Sequence, residues 1–190
     1  MPMSQWGPLA GLIGTWESGF DGLDVSYHNV EGKIAETAYR EESSFRAFGP
    51  VGGGDQRLFG LDYRTAIFGR DASEPFHSEV GFWMWDAAAQ QVMRCVVLSH
   101  GQCTIAGGTV AADATTFRLE ATLGSNTYGI LSNPALDRAA HTTRFDLSVS
   151  LEGDTLSYDQ TTVIEHLAWP TVLLHTDRNT LTRVDSSRSA

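Results

Sequence analysis

The 190-residue chain has a single lysine, Lys33, and its other cations are arginines scattered from Arg40 to Arg188. No five-residue window is basic, and 13 basic side chains face 23 acidic ones for a net charge of -10. No stretch can therefore release phosphate counterions in bulk, and neither nucleic acid nor an anionic membrane is an expected partner. No apolar run approaches the ~18 residues of a membrane helix. The opening MPMSQWGPLAGLIGTW has no charged region ahead of its short apolar stretch. Neither a membrane span nor a secretory signal is expected, which reads as a cytoplasmic protein. Cys95 and Cys103 lack a CxxC, a CxxCH or a Cys/His cluster at zinc spacing, and are expected to be reduced packing thiols. A GxSxG elbow, a P-loop and a GxGxxG after a strand are also missing. Gly52-Gly53-Gly54 follows a Pro-Val turn and leads into a strand, which makes it a hairpin loop rather than a phosphate cradle.

Helical spacing of apolar residues is almost absent, and alternation with period two takes its place. Phe145, Leu147, Val149 and Leu151, with Thr143, alternate with Thr142, Arg144, Asp146, Ser148 and Ser150. Phe117, Leu119 and Ala121 alternate with Arg118, Glu120 and Thr122 in the same way. Between the turn signals lie about ten such strands, near 14–20, 35–48, 56–68, 76–86, 90–99, 102–109, 115–123, 141–152, 155–166 and 173–184. Ten antiparallel strands without crossover helices hide their edges most simply by closing on themselves. The expected fold is all-β: a closed antiparallel ten-stranded barrel, similar to lipocalins and fatty-acid-binding proteins, formed by residues 1–184 as one domain. Phe117, Leu119, Phe145, Leu147 and Val149 point inward, a short helix from 133–140 plugs one end, and 185–190 form a disordered tail. Side chains just fill a barrel of about eight strands, so ten imply a cavity.

The run 75–86, PFHSEVGFWMWD, is the richest in candidate cavity residues. Alternation puts His77, Glu79, Gly81, Trp83 and Trp85 on one face, and both faces are apolar enough to be covered. With the His77 face inside, the cavity gains an imidazole, a carboxylate, a gap at Gly81 and a tryptophan wall. Glu79 then needs a partner, and Arg94 or Tyr63 is the expected one. The last strand carries His175, Asp177, Asn179, Leu181 and Arg183 on one face, an unusually polar set. His166 is read as a residue of the barrel mouth in contact with water. His28, His100 and His141 fall in loops or strand starts.

Gly14-Thr15-Trp16, the run His77-Ser78-Glu79-Val80-Gly81-Phe82-Trp83, and a closing strand with a His and a Leu-Thr-Arg end resemble the nitrobindins. These are haem-binding barrels shaped like fatty-acid-binding proteins, of the THAP4 C-terminal type. The resemblance covers about residues 8–184. It implies one haem b, a histidine as proximal iron ligand, and chemistry with nitric oxide or peroxynitrite at the open face. His77 matches the pocket histidine of the family's His-x-Glu-x-Gly run and Trp16 its barrel-end tryptophan. The later glycines of the family's Gly-x-Trp-x-Gly-x-Gly are absent or displaced in Gly14–Phe20. Aligning Leu181 and Arg183 puts Thr176 at the family's ligand position and His175 one residue earlier, a slip that flips the side chain unless a bulge restores it.

Three functions follow. In a haem protein His175 is the metal ligand, and His77, Glu79, Trp83, Tyr39, Tyr63 and Asp177 line the pocket, with Phe45 and Trp85 as further walls. Peroxynitrite isomerisation would then be chemistry of the iron. The alternative is a carrier of another small apolar or aromatic ligand in a barrel without haem ligation. An enzyme using His77 with Glu79, or His175 with Asp177, as a general-base pair has no visible nucleophile. A small-molecule partner is expected in each case, with the chain a monomer or homodimer.

Overall fold

The structure is a computed structural model that describes residues 2–184; the tail expected at 185–190 lies outside the described residues. A 3-10 segment, Met3–Leu12, precedes twelve strands and one helix. The strands are β1 Gly14–Glu17, β2 Gly22–His28, β3 Lys33–Val51, β4 Leu58–Phe68, β5 His77–Asp86, β6 Gln91–Leu98, β7 Gln102–Thr109, β8 Thr116–Thr122, β9 Ile130–Ser132, β10 Ala140–Glu152, β11 Thr155–His166 and β12 Val172–Arg183. The helix α1, Pro134–Ala139, lies between β9 and β10. All pairings are antiparallel, and the sheet closes where β12 meets both β1 and β2. β1 and β2 both lie between β12 and β3, and β9 pairs only with β7 beside β8. Twelve strands thus fill ten positions of a closed barrel, and closure removes the unpaired edges.

Alternation reads correctly where the interior is apolar. Phe117, Leu119, Ala121, Phe145, Leu147 and Val149 are all buried. On β10 the expected phase fails at its first residues. The register against β11 shifts between Thr142 and Arg144, so Thr142, not Thr143, is buried. A bulge adds one residue, and one residue moves a side chain to the other face.

The 3-10 segment closes one end. The Trp6 indole donates to the carbonyls of Phe48 (3.2 Å) and Gly60 (3.0 Å), and the Trp16 indole to that of Leu12 (2.7 Å). Gly7 has φ +51 and lies on Trp85, where an added Cβ would come within 2.5 Å of the indole. Trp85 is therefore part of this plug, not a wall of the cavity as expected. Arg183 holds the segment from the side, donating to the carbonyls of Gly11 and Ile13 with its guanidinium 4.2 Å from the Trp16 ring. The opposite end, where β5 starts and β6 finishes, stays open beneath α1. Asn133 caps that helix by accepting from the amides of Ala135 and Leu136.

Burial separates two leucines that the sequence treats alike. Leu119→Ala, at 0% exposure, is expected to lower unfolding stability by ~2–5 kcal/mol, and Leu174→Ala, at 58% on the outer face of β12, by no more than ~0.5 kcal/mol, as read by urea unfolding.

Candidate functional site

The barrel interior is divided. At the mouth lies a cavity of about 280 Å³, and below it a chamber of about 50 Å³. Glu79, Arg94, Gln160 and Asp177 border both. Arg94 on β6 forms an ion pair with Glu79 on β5 and donates to Gln160 Oε1 at 3.3 Å. Tyr63 also donates to Glu79, at 3.2 Å, so both partners expected for that carboxylate are present. Burial opposes its ionisation, but the Arg94 guanidinium and the His77 imidazole together outweigh burial and pull Glu79 down to about 2. The rings of Tyr63, Trp83 and Phe145 lie 5.5–5.7 Å from the Arg94 charge, close enough for cation–π attraction.

Three histidines border the mouth cavity: His77, His100 and His175. His77 Nε2 lies 3.5 Å from Glu79 Oε1, and the rings of His77 and His100 are 6.1 Å apart. Burial lowers the pKa of His100 and favours its neutral form. His175 faces inward without any irregularity. β12 pairs with β11 in unbroken register from Thr155↔Thr182 to Glu165↔Val172, which keeps His175, Asp177, Asn179 and Leu181 on one face. No bulge is needed, and Thr176 takes the outward phase. His175 Nε2 lies 2.5 Å from Asp24 Oδ2 on β2. Burial opposes the charged forms of both, yet their pairing raises His175 and lowers Asp24.

A second polar system runs through Tyr39, which donates to Asp177. Its hydroxyl is 2.8 Å from that of Tyr158, and Tyr158 donates to Glu41 Oε2 at 2.7 Å. Ser43 and Asn179 also donate to Glu41, at 2.7 and 3.0 Å. With both phenol protons donated to the carboxylates, the close Tyr39–Tyr158 contact gains a proton of its own only when Asp177 or Glu41 is protonated and the donation along the line reverses. Burial first, then the charges of Glu41 and Asp24, push Asp177 up to about 7, and burial first, with the charge of Glu79, raises Glu41 above its ordinary value.

The family model described as "THAP4-like, heme-binding beta-barrel domain" matches residues 5–183. The chain belongs to that family. Among solved structures, the one described as "Crystal Structure of Rv2717c from M. tuberculosis" aligns over 97% of this chain and 99% of its own, with TM-score 0.64 and 22% identity, and shares the fold. A search of curated proteins gives no match.

Of the residues expected from sequence, His77, Glu79, Tyr39, Asp177 and His175 meet at the mouth of this haem-binding-family barrel, whereas Tyr63, Trp83 and Phe45 line the lower chamber. Gly81 leaves no gap: a Cβ there would meet the Cys95 carbonyl at 1.9 Å, so its role is close approach of strands. His166 packs on Tyr27, with ring centroids 4.6 Å apart, outside the lining of the mouth. Asp24, Glu41, His100, Tyr158 and Gln160 escaped sequence reasoning. Asp24 and Ser26 border the mouth while Leu23, Val25 and Tyr27 take the opposite phase of β2, an inverted pattern that hides a strand from a search for buried apolar residues.

The donor set fits a haem. One imidazole, His175, borders the cavity with a carboxylate on one ring nitrogen, and its Nδ1 makes no hydrogen bond among the described residues. An outer carboxylate fixing the tautomer is the usual support of a ligating histidine.

The raised carboxyl of Asp177 gives a pH dependence with a definite sign. A carboxyl raised from 3.8 to about 7 makes the folded state bind more protons than the unfolded one between those values, so its contribution to stability falls as pH rises through that window. Asp177→Asn supplies an amide donor without the charge. It is expected to be more stable than the parent by a few kcal/mol at pH 8, with the difference fading by pH 4, in melts across that range.

Proposed function

We propose that this barrel binds one haem b at its mouth, with His175 as axial ligand and Asp24 holding the ring. The observation that carries this reading is the inward phase of His175 beside Asp24 over the mouth cavity. Family membership over residues 5–183 supports a haem protein. Haem, when bound, supplies iron chemistry with nitric oxide or peroxynitrite, peroxynitrite isomerisation included.

The chain's own residues set the conditions. Asp24 fixes the His175 proton on one nitrogen and leaves the other as the ligand. The Arg94–Glu79 pair forms a floor that keeps a flat ligand at the mouth. Ile67, Val96, Leu98 and Phe145 supply apolar wall on this side of the floor. His100, favoured neutral, and His77 offer hydrogen bonds at the cavity edge. The same apolar wall would also suit a carrier of another aromatic molecule, the reading that remains if hemin fails to bind.

Titration with hemin decides between them. The parent is expected to give a Soret band that saturates at one equivalent. His175→Ala is expected to remove or shift the band, and Asp24→Asn to weaken binding ~10–100-fold. His166→Ala should titrate like the parent, while His77→Ala should change affinity far more than melting temperature. An unchanged spectrum in His175→Ala would overturn the ligand assignment. Tight binding of an apolar fluorescent probe without hemin binding would favour the carrier.

A further inference from the structure

The wall opposite His175 carries two more imidazoles. In a closed barrel of ten positions β12 and β6 lie five strands apart in either direction, through β11, β10, β8 and β7 or through β2, β3, β4 and β5. His175 on β12 therefore looks across the cavity at β6 and its neighbours. There His77 opens β5, and His100 sits in the turn between β6 and β7. Both border the mouth, with their rings 6.1 Å apart. His77 Nε2 is turned to Glu79, whereas the ring of His100 makes no hydrogen bond among the described residues, only its carbonyl being engaged. The outer face of the same wall is bare at Val80 and Phe82, and Cys103, expected to pack, is exposed there. Only the inner face meets a ligand at the mouth.

The turn that carries His100 is tied down at every step. Asn133 Nδ2 donates to the His100 carbonyl at 2.8 Å, the Asn133 amide donates to the Gly101 carbonyl at 2.9 Å, and the Gly101 amide closes the turn on the Leu98 carbonyl at 3.0 Å. The Oδ1 of the same asparagine caps α1. Gly101 has φ +85, and a Cβ there would come within 3.0 Å of Asn133 Nδ2, so the backbone and the clamp both call for glycine. One side chain thus locks α1 and the His100 turn to each other at the mouth. Restraint of this kind is what a group needs to meet a ligand with a fixed geometry. Burial first, with the charges of His77 and His175, lowers the pKa of His100, and a neutral imidazole keeps one N–H to donate. Building on the haem site described above, we propose that His100 donates a hydrogen bond to a small molecule held on the haem face turned away from His175, and that Asn133 is its positioning residue. The ligand class follows from the donor. A single N–H with no free carboxylate beside it favours an anion or other acceptor of a few atoms, because Glu79 is taken by Arg94, Tyr63 and His77. Arg94, lower on this wall, is itself engaged by Glu79 and Gln160 and leaves His100 as the donor at the rim.

Fluoride binding to the hemin-loaded protein, read by absorption, tests this, because fluoride is a small anion that accepts hydrogen bonds. His100→Leu is expected to weaken fluoride binding ~10–100-fold, the span of a hydrogen bond to a charged group, while hemin affinity stays within ~2-fold of the parent. His100→Gln keeps an N–H and should recover most of the loss. Asn133→Asp keeps the oxygen that caps α1 but cannot donate to the His100 carbonyl. It is expected to weaken fluoride binding ~3–10-fold with hemin affinity unchanged, a split that a merely structural role would not produce. Hemin uptake at one equivalent with the same fluoride affinity in the parent and His100→Leu would overturn this inference and leave the haem site standing. A loss of fluoride affinity in His77→Leu but not in His100→Leu would overturn it too, by moving the donor to His77. A parent that takes up no hemin would overturn both the haem site and the role of His100.

Discussion

The Arg94–Glu79 ion pair is the constraint on which the interior depends. Taking either charge out of water alone costs several kcal/mol, and only the pair, with its hydrogen bonds, makes the burial tolerable. Each remaining partner then has a reason for its place. Tyr63 and His77 serve the carboxylate, Gln160 serves the guanidinium, and three aromatic rings face the charge. The pair spans the barrel from β5 and β6 toward β11, which divides an interior that ten strands would otherwise leave as one cavity. A ligand is thereby held at the mouth, where the histidines are.

The opposite wall solves the same problem without an arginine. Asp177, Tyr39, Tyr158 and Glu41 form a complete line when one of the two carboxyls holds a proton, and Asp24 is matched by His175. Polar groups of this number reduce what the core contributes to stability. That is typical of a site set for chemistry or recognition rather than packing. The Trp6, Trp16 and Trp85 plug at the far end has no such burden, and it secures the chain terminus and β12 to the base of the barrel.

The barrel was legible in the sequence wherever inside meant apolar. β8 and most of β10 alternate cleanly because their inward residues, from Phe117 to Val149, pack on one another. Legibility fails where inside is polar. β2 points Asp24 and Ser26 at the cavity, so its pattern reads backwards, and the partner of His175 went with it. Glu41 sits beside Arg40 and Glu42 and looks like part of a solvated face, although Tyr39, Ser43 and Phe45 share its inward phase. Thr142 was lost to a bulge that composition does not announce, and His100 to its place in a turn. The outer face of β5 differs for another reason: Val80 and Phe82 stay exposed although both faces of the run 75–86 read as apolar enough to be covered, because alternation says which residues share a face and not what covers it.

A double-mutant cycle on the ion pair tests the central claim most directly. Arg94→Met strands a carboxylate and Glu79→Leu strands a guanidinium, so each alone is expected to cost ~3–5 kcal/mol in equilibrium unfolding. The double variant removes both charges and is expected to cost less than either single one, a coupling of several kcal/mol. Single costs below ~1 kcal/mol that simply add in the double variant would contradict the account, because the floor of the mouth cavity would then owe nothing to the pairing of these charges.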